Sequence, residues 1–107
     1  DLYGDNGNSI GLYQVSLKVL WDYNKFYGSN YTKNWLLINE NNKKIAVWQI
    51  NKIITALKRH NLPIDKVHII FAYNSGIKNA LNKPIPRKHR NLIYQKVFKD
   101  YWKGVLK

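Results

Sequence analysis

The sequence predicts an all-α fold in one small domain. The chain has 107 residues, which fits a single domain of ordinary size. Hydrophobic residues make up 45% of it and recur at helical spacing in several segments. No segment shows convincing alternation of apolar and polar residues, and the lone Asn6-Gly7 pair lacks the flanking strands of a hairpin.

The first predicted helix runs from about residue 10 to residue 27. Residues 1–8 are rich in Asp, Asn and Gly, which is typical of a loop. Ser9 is the expected helix cap, because a serine hydroxyl can accept a hydrogen bond from a free backbone N–H. The residues expected to face inward are Leu12, Val15, Val19, Tyr23 and Phe26.

Four further helical segments follow. Residues 35–39 predict a short buried turn or helix, and the pattern from Lys43 to His60 predicts a long one. The inward face of that long helix is expected to be Ala46, Ile50, Ile53, Ile54 and Leu57. A third helix around Val67 should stop at residues 74–76. Residues 82–90 predict a basic loop, and a last helix is expected over about 88–105.

The charge balance points to an acidic or polyanionic partner. The chain carries 18 Lys and Arg against 6 acidic residues, a formal net charge of +12. Basic residues are concentrated toward the C-terminus, at Lys83, Arg87, Lys88, Arg90, Lys96, Lys99, Lys103 and Lys107. No apolar run approaches the ~20 residues of a membrane span.

Metal and cofactor sites are not expected. There is no cysteine, and His60, His68 and His89 lack metal-ligand spacing. No glycine-rich loop leads from a strand into a helix, so a nucleotide site is not expected either.

Two polar and aromatic stretches are the candidate binding residues. Ser9, Tyr13 and Gln14 lie at the start of the first predicted helix, and Tyr73 and Asn74 at the end of the third. Hydroxyl, phenol and amide groups bind sugar hydroxyls without charge, and an aromatic ring can cover the apolar face of a sugar. Alternatively, Gln14 is an exposed helix residue without a ligand, and Tyr73, Asn74 and Gly76 form an ordinary helix end.

Four segments together resemble a known family. Gly11-Leu12-Tyr13-Gln14 and Ala72-Tyr73-Asn74-Ser75-Gly76 resemble the Gly-Leu-Met-Gln and Ala-Tyr-Asn-Ala-Gly motifs of bacterial lytic transglycosylases. Their catalytic domain is similar to goose-type lysozyme. The segment with Glu40 and Asn42 resembles the Asp-Pro-Glu-x-Asn motif, and residues 93–101 resemble the closing helix, with Val97 and Tyr101 in register. The order agrees over essentially all 107 residues, which implies a small lysozyme-like helical domain.

The chain departs from the family at several positions. Tyr13 replaces the usual Met, and the Pro often found shortly after the Gln is absent. Ser75 stands where Ala is common, and Ile93 stands where the last helix has Tyr.

The resemblance implies cleavage of the β-1,4 bond between N-acetylmuramic acid and N-acetylglucosamine in peptidoglycan, leaving a 1,6-anhydro end. One Glu acts as acid and then base, unlike the usual pair of carboxylates. Tyr73 would support that Glu. Ser9, Tyr13, Gln14 and Asn74 would bind substrate or shape the cleft, and Asn42 would hold the loop before the central helix.

The catalytic Glu itself is the main departure. In the family it lies well before the Gly-Leu-Met-Gln motif, which places it a few residues before Asp1. Either the chain is a fragment or processed product whose N-terminal helix lies elsewhere, or it is a degenerate relative that binds glycan without cutting it, or Asp1 or Asp5 substitutes. Glu40 is expected to complement the helix dipole rather than act as the acid.

The resemblance also implies location and partners. The expected site of action is periplasmic or cell-wall-facing, in an exported or virion-associated protein, with peptidoglycan strands as partner. A silent wall-binding module would have secretion, conjugation or phage assembly proteins as partners. A basic helical nucleic-acid-binding domain is the alternative from another class. It is less favoured because the aromatic residues fall mostly on predicted apolar helix faces.

Overall fold

The fold was obtained as a computed structural model, which describes residues 3–4 and 7–85. The described residues are predominantly helical, as the sequence predicts, and they also form three strands of two residues each that the sequence does not predict. The elements are β1 (Tyr3–Gly4), β2 (Ser9–Ile10), β3 (Val15–Ser16), α1 (Leu17–Tyr27), α2 (Lys33–Leu36), α3 (Asn39–Arg59), α4 (Lys66–Ser75) and α5 (Ile77–Asn82). The predicted helix over 88–105 and all of the C-terminal basic residues except Lys83 lie outside the described residues.

Two compact units divide the chain, Asp1–Gln49 and Ile50–Lys107. The first contains the three strands, α1, α2 and the beginning of α3. The second contains the rest of α3, α4 and α5. Each unit is described by itself below.

The strands of the first unit form a small antiparallel sheet in the order β1-β2-β3. Ile10 pairs with Val15 and Ser9 with Ser16, so β2 and β3 are joined by a four-residue turn, 11–14. The prediction of a helix beginning near residue 10 with Ser9 as its cap is therefore wrong. The physical reason is the turn backbone: Gly11 has φ 80° and Gln14 has φ 48°, values that a right-handed helix cannot contain.

Helix α1 begins only after this hairpin. Ser16 is its cap and accepts a hydrogen bond from the backbone N–H of Lys18. Gly28 ends it with φ 67°, the left-handed conformation common after a helix. Its buried side chains are Leu17, Leu20 and Tyr23.

The inward face predicted for α1 is partly wrong. Leu12 lies in the turn and is 61% exposed, and Phe26 is 72% exposed. Val15 is fully buried, but as a strand residue paired across the hairpin. Val15 and Tyr23 fit a helical spacing because a strand residue and a helix residue of one core lie at a similar interval.

Helix α2 and the beginning of α3 complete the first unit. Thr32 caps α2. The predicted buried element over 35–39 is only partly confirmed, because Leu36 is fully buried but Ile38 is 56% exposed. Helix α3 begins at Asn39, earlier than the predicted Lys43, and ends at Arg59. Glu40 lies in its first turn, where a carboxylate complements the helix dipole.

In the second unit, α3 buries Ile50, Ile53 and Leu57 as predicted, while Ile54 is half-buried. Asp65 caps α4 through the backbone N–H of His68. Helix α4 carries a run of buried residues, 69–73, so it is enclosed on all sides rather than amphipathic. It stops at Gly76 as predicted, and α5, which the sequence does not predict, packs against it.

Candidate functional site

Asn42 is the centre of the best-defined polar arrangement in the first unit. Its side chain is fully buried near the start of α3. Its Nδ2 donates to the carbonyl oxygens of Ile10 (2.8 Å) and Leu36 (3.0 Å), and its Oδ1 accepts from the backbone N–H of Tyr13 (2.9 Å). One amide thus joins the hairpin, α2 and α3. This confirms the prediction that Asn42 holds the chain before the central helix.

Gly11 packs directly against this amide. A Cβ built on Gly11 would overlap Asn42 Nδ2, and it would lie 2.9 Å from Asn42 Cγ and 3.3 Å from the carbonyl oxygen of Leu36. The positive φ of Gly11 also disfavours any side chain there. Two of the segments that carry the family resemblance are therefore in contact through Gly11 and Asn42. The sequence alone does not predict this contact.

Gln14 closes the hairpin turn. Its backbone N–H donates to the carbonyl of Gly11 at 3.0 Å, and its side-chain Nε2 donates to the same oxygen at 2.8 Å. The sequence predicts Gln14 at the start of a helix, but the residue lies in a left-handed turn position, which costs a non-glycine residue conformational energy. This geometry shows Gln14 stabilising the turn, and its two predicted roles, binding sugar hydroxyls or shaping the cleft, stay predictions.

The other two candidates of this stretch lie in the same hairpin. Ser9 is buried in β2, and Tyr13 is half-buried in the turn, with its backbone fixed by Asn42. The structure thus brings Ser9, Tyr13 and Gln14 together, but on a hairpin instead of a helix. The sequence does contain a feature that could have predicted the hairpin. Ser-Ile and Val-Ser flank a four-residue segment that begins with Gly, which is a hairpin pattern.

Tyr73 and Asn74 lie in the last turn of α4, in the second unit. Tyr73 is buried, and Asn74 is exposed with its Nδ2 donating to the carbonyl of Ile70 at 3.0 Å. Gly76 follows with φ 93° and separates α4 from α5. The buried phenol and the exposed amide therefore stand at the end of a helix, which is where the sequence predicts them.

The acidic residues that the structure describes are all exposed. Asp22 forms an ion pair with Lys18 at 3.8 Å, and Glu40 lies in the first turn of α3. Asp65 caps α4 and also contacts His68 Nδ1 at 2.7 Å. A glycosidic general acid needs apolar surroundings that favour its protonated form. None of these three carboxyls has such surroundings, and Asp1, Asp5 and Asp100 lie outside the described residues.

Across residues 3–4 and 7–85, no three His, Asp or Glu side chains are grouped so that they could hold a metal ion. No helix in the same part of the chain is long and apolar enough to cross a bilayer. Comparison of the chain with protein-family models, with curated proteins and with solved structures gave no match.

Proposed function

We propose that the chain is a lysozyme-like domain that binds the glycan strands of peptidoglycan and serves in their cleavage between N-acetylmuramic acid and N-acetylglucosamine. The observation that carries the proposal is the contact between Gly11 and Asn42. These residues belong to two separate segments of the family resemblance. They pack against each other, and the Asn42 side chain hydrogen-bonds to Ile10 and Tyr13 on either side of Gly11. Two segments that resembled the family only by chance would not be expected to contact each other in the fold.

The strained turn at Gln14 supports the same proposal. A non-glycine residue in the left-handed region persists only where its surroundings hold it, and such residues are concentrated at binding sites. Here the Gln14 side chain and the Asn42 amide hold residues 11–14 from both sides. The turn therefore presents Tyr13 on a rigid support, as a sugar-binding ring requires.

Within the first unit, Tyr13 would line a sugar subsite, and Ser9 and Gln14 would support the turn that carries it. Within the second unit, Tyr73 and Asn74 would take the roles of the family motif that they resemble, Tyr73 as the support for a catalytic Glu. None of the described carboxyls has the surroundings that such an acid needs. Exported and virion-associated wall enzymes are the class of protein to which such a domain would belong.

A second candidate is a catalytically silent glycan-binding or assembly module of the same fold. The exposure of Asp22, Glu40 and Asp65 favours it, since none of them is placed to act as a protected acid. Incubation with purified sacculi separates the two functions. Released muropeptides with 1,6-anhydro ends would indicate a lyase and reducing ends a hydrolase, whereas binding without release would indicate the silent module.

The test of the candidate residues is an NMR titration with N-acetylglucosamine oligomers. We expect millimolar ligand to shift the signals of Tyr13 and Gln14 in the first unit and of Tyr73 in the second. Tyr13→Ala should weaken binding, while Leu12→Ala is the matched control because Leu12 is exposed in the same turn and has no proposed role. Unchanged signals at all three positions would contradict the proposal.

A further inference from the structure

Six aromatic rings of the first unit form a connected cluster. Tyr23 contacts Tyr27 (centroids 4.5 Å apart) and meets Trp48 edge-on (5.2 Å), and Phe26 meets Tyr27 edge-on (4.8 Å). Tyr31 lies 6.2 Å from Tyr23. Tyr31 stacks in parallel on Trp35, with the ring centroids 3.8 Å apart. We call the five rings other than Tyr23 the aromatic surface: Phe26, Tyr27, Tyr31, Trp35 and Trp48.

The aromatic surface is open to solvent, whereas the ring beneath it is not. Tyr23 is buried, but Phe26 is 72% and Tyr27 is 56% exposed, and the other three rings are half-buried. The prediction that Phe26 faces inward is therefore wrong, whereas the same prediction for Tyr23 is confirmed. Grouped exposed apolar side chains are unfavourable in water and are typical of binding surfaces.

The loop after α1 holds the rings in place. Asn24 Oδ1 accepts from the backbone N–H of Tyr31 (3.1 Å) and from Ser29 Oγ (2.9 Å), and Asn24 Nδ2 donates to the carbonyl of Tyr31 (3.0 Å). Thr32 then caps the helix that carries Trp35. Hydrogen bonds to the chain on both sides thus hold the stacked pair Tyr31–Trp35 in place. A ligand that binds there therefore loses little free energy in ordering the two rings.

The chemistry around the rings distinguishes among ligands. Between Tyr23 and Asn39 the only charged residues are Lys25 and Lys33; Asp22 lies one turn before Phe26 on α1 and forms an ion pair with Lys18. Neutral hydroxyl and amide side chains outnumber the two lysines there, and Asn30, Thr32 and Asn34 are exposed. Flat rings beside neutral hydrogen-bonding groups suit a sugar with an acetamido group, and the excess of lysine over acid admits an acidic polymer. A nucleic-acid site would instead need cations along the backbone path.

From these observations we infer that the aromatic surface is a second carbohydrate-binding surface, which holds a polymer of acetamido sugars in addition to the residues of the hairpin turn. The inference rests on the proposed function for the identity of the polymer. The rings would stack on the apolar faces of successive sugars, with the exposed amides and Thr32 bonding to sugar hydroxyls and acetamido groups. Lys25 and Lys33 would face the acidic groups of the strand.

The test compares Phe26→Ala and Tyr27→Ala with Trp21→Ala in binding to N-acetylglucosamine hexamer and to purified sacculi. Trp21 is a matched control, because it is 62% exposed on the same helix but lies outside the ring cluster. Each ring removed should weaken binding by about 3- to 10-fold, the range expected for one aromatic contact, and Trp21→Ala should bind like the parent chain. All three side chains are exposed, so circular dichroism should show unchanged folding.

The outcomes separate this inference from the proposed function. Equal hexamer affinity of the Phe26→Ala, Tyr27→Ala and parent chains would overturn the inference, while shifts at Tyr13 and Gln14 would leave the proposed function standing. Response of the aromatic surface without any response of Tyr13 and Gln14 would support the inference and count against the hairpin site. Binding of oligothymidylate at the aromatic surface, with no binding of the hexamer, would overturn the inference in favour of a nucleic-acid surface.

Discussion

The side-chain amide of Asn42 donates to the carbonyl of Ile10, which precedes it by 32 residues. The bond fixes the last residue of β2 against the start of α3. The same amide also satisfies the carbonyl of Leu36 and the backbone N–H of Tyr13. These backbone groups are partly or fully buried, so water cannot readily reach them and take the place of the Asn42 amide when it is removed.

Asn42→Ala should strongly destabilise the first unit. The substitution leaves two carbonyls and one N–H without this partner, and a buried polar group left unsatisfied costs about 1–3 kcal/mol. We expect the free energy of unfolding to fall by roughly 3 kcal/mol or more, measured by urea denaturation. Asn41→Ala is the matched control: Asn41 makes a single bond, to the carbonyl of Trp35, and should cost about 1 kcal/mol. Equal losses for both variants would show that Asn42 has no special role.

Asn42→Asp should make stability depend on pH. The new carboxyl keeps an acceptor for Tyr13 but turns an oxygen toward the carbonyls of Ile10 and Leu36. Burial and those oxygens favour its protonated form, so its folded-state pKa should lie above the unfolded value. The folded state then binds the proton more tightly, and stability relative to the parent should improve as pH falls from 7 toward 4. A pH-independent difference between variant and parent would contradict this.

Gly11→Ala should cost more than an ordinary glycine substitution. Gly11 and Gly28 both have positive φ, so alanine at either position pays a backbone strain of about 1–2 kcal/mol. Only at Gly11 does the added Cβ overlap another residue, Asn42, whereas nothing lies within 4 Å of a Cβ on Gly28. Thermal unfolding should therefore show a clearly larger loss for Gly11→Ala. Comparable losses would indicate that the hairpin can shift away from α3.

Ser16→Ala should lower stability by about 1 kcal/mol, because Ser16 caps α1. Ser16→Asp keeps the acceptor and adds a negative charge near the helix N-terminus, so it should retain or slightly raise stability. Urea midpoints of the two variants give the comparison. A loss of equal size in both would mean that the hydroxyl of Ser16 acts through something other than the cap.

The sequence predicts long helices better than it predicts this hairpin. In α3 and α4 the apolar spacing and the closing residues are local signals, and both helices are found with similar bounds. At residues 9–16 the conformation depends on two left-handed turn positions and on a bond to Asn42, which is distant in the chain. The spacing of apolar residues carries no information about such a bond, so the sequence pattern assigns the strand residues Ile10 and Val15 to a helix.

The candidate binding residues were also only partly predictable from the sequence. Residue types that favour a sugar ligand, including Tyr13 and Gln14, could be selected from the sequence alone. The aromatic surface could not, because Phe26 fits a helical stripe in the sequence, whereas the structure leaves it 72% exposed near the end of α1. The ordering of Tyr31 by Asn24 is likewise a loop interaction that periodicity does not report.

The close packing of Gly11 on Asn42 has a consequence for evolution. A side chain at position 11 would fill the space that the amide occupies, so the two positions should change together in descendants of this chain. Paired inheritance of a glycine and an asparagine at this separation would mark relatives whose other residues have diverged beyond recognition.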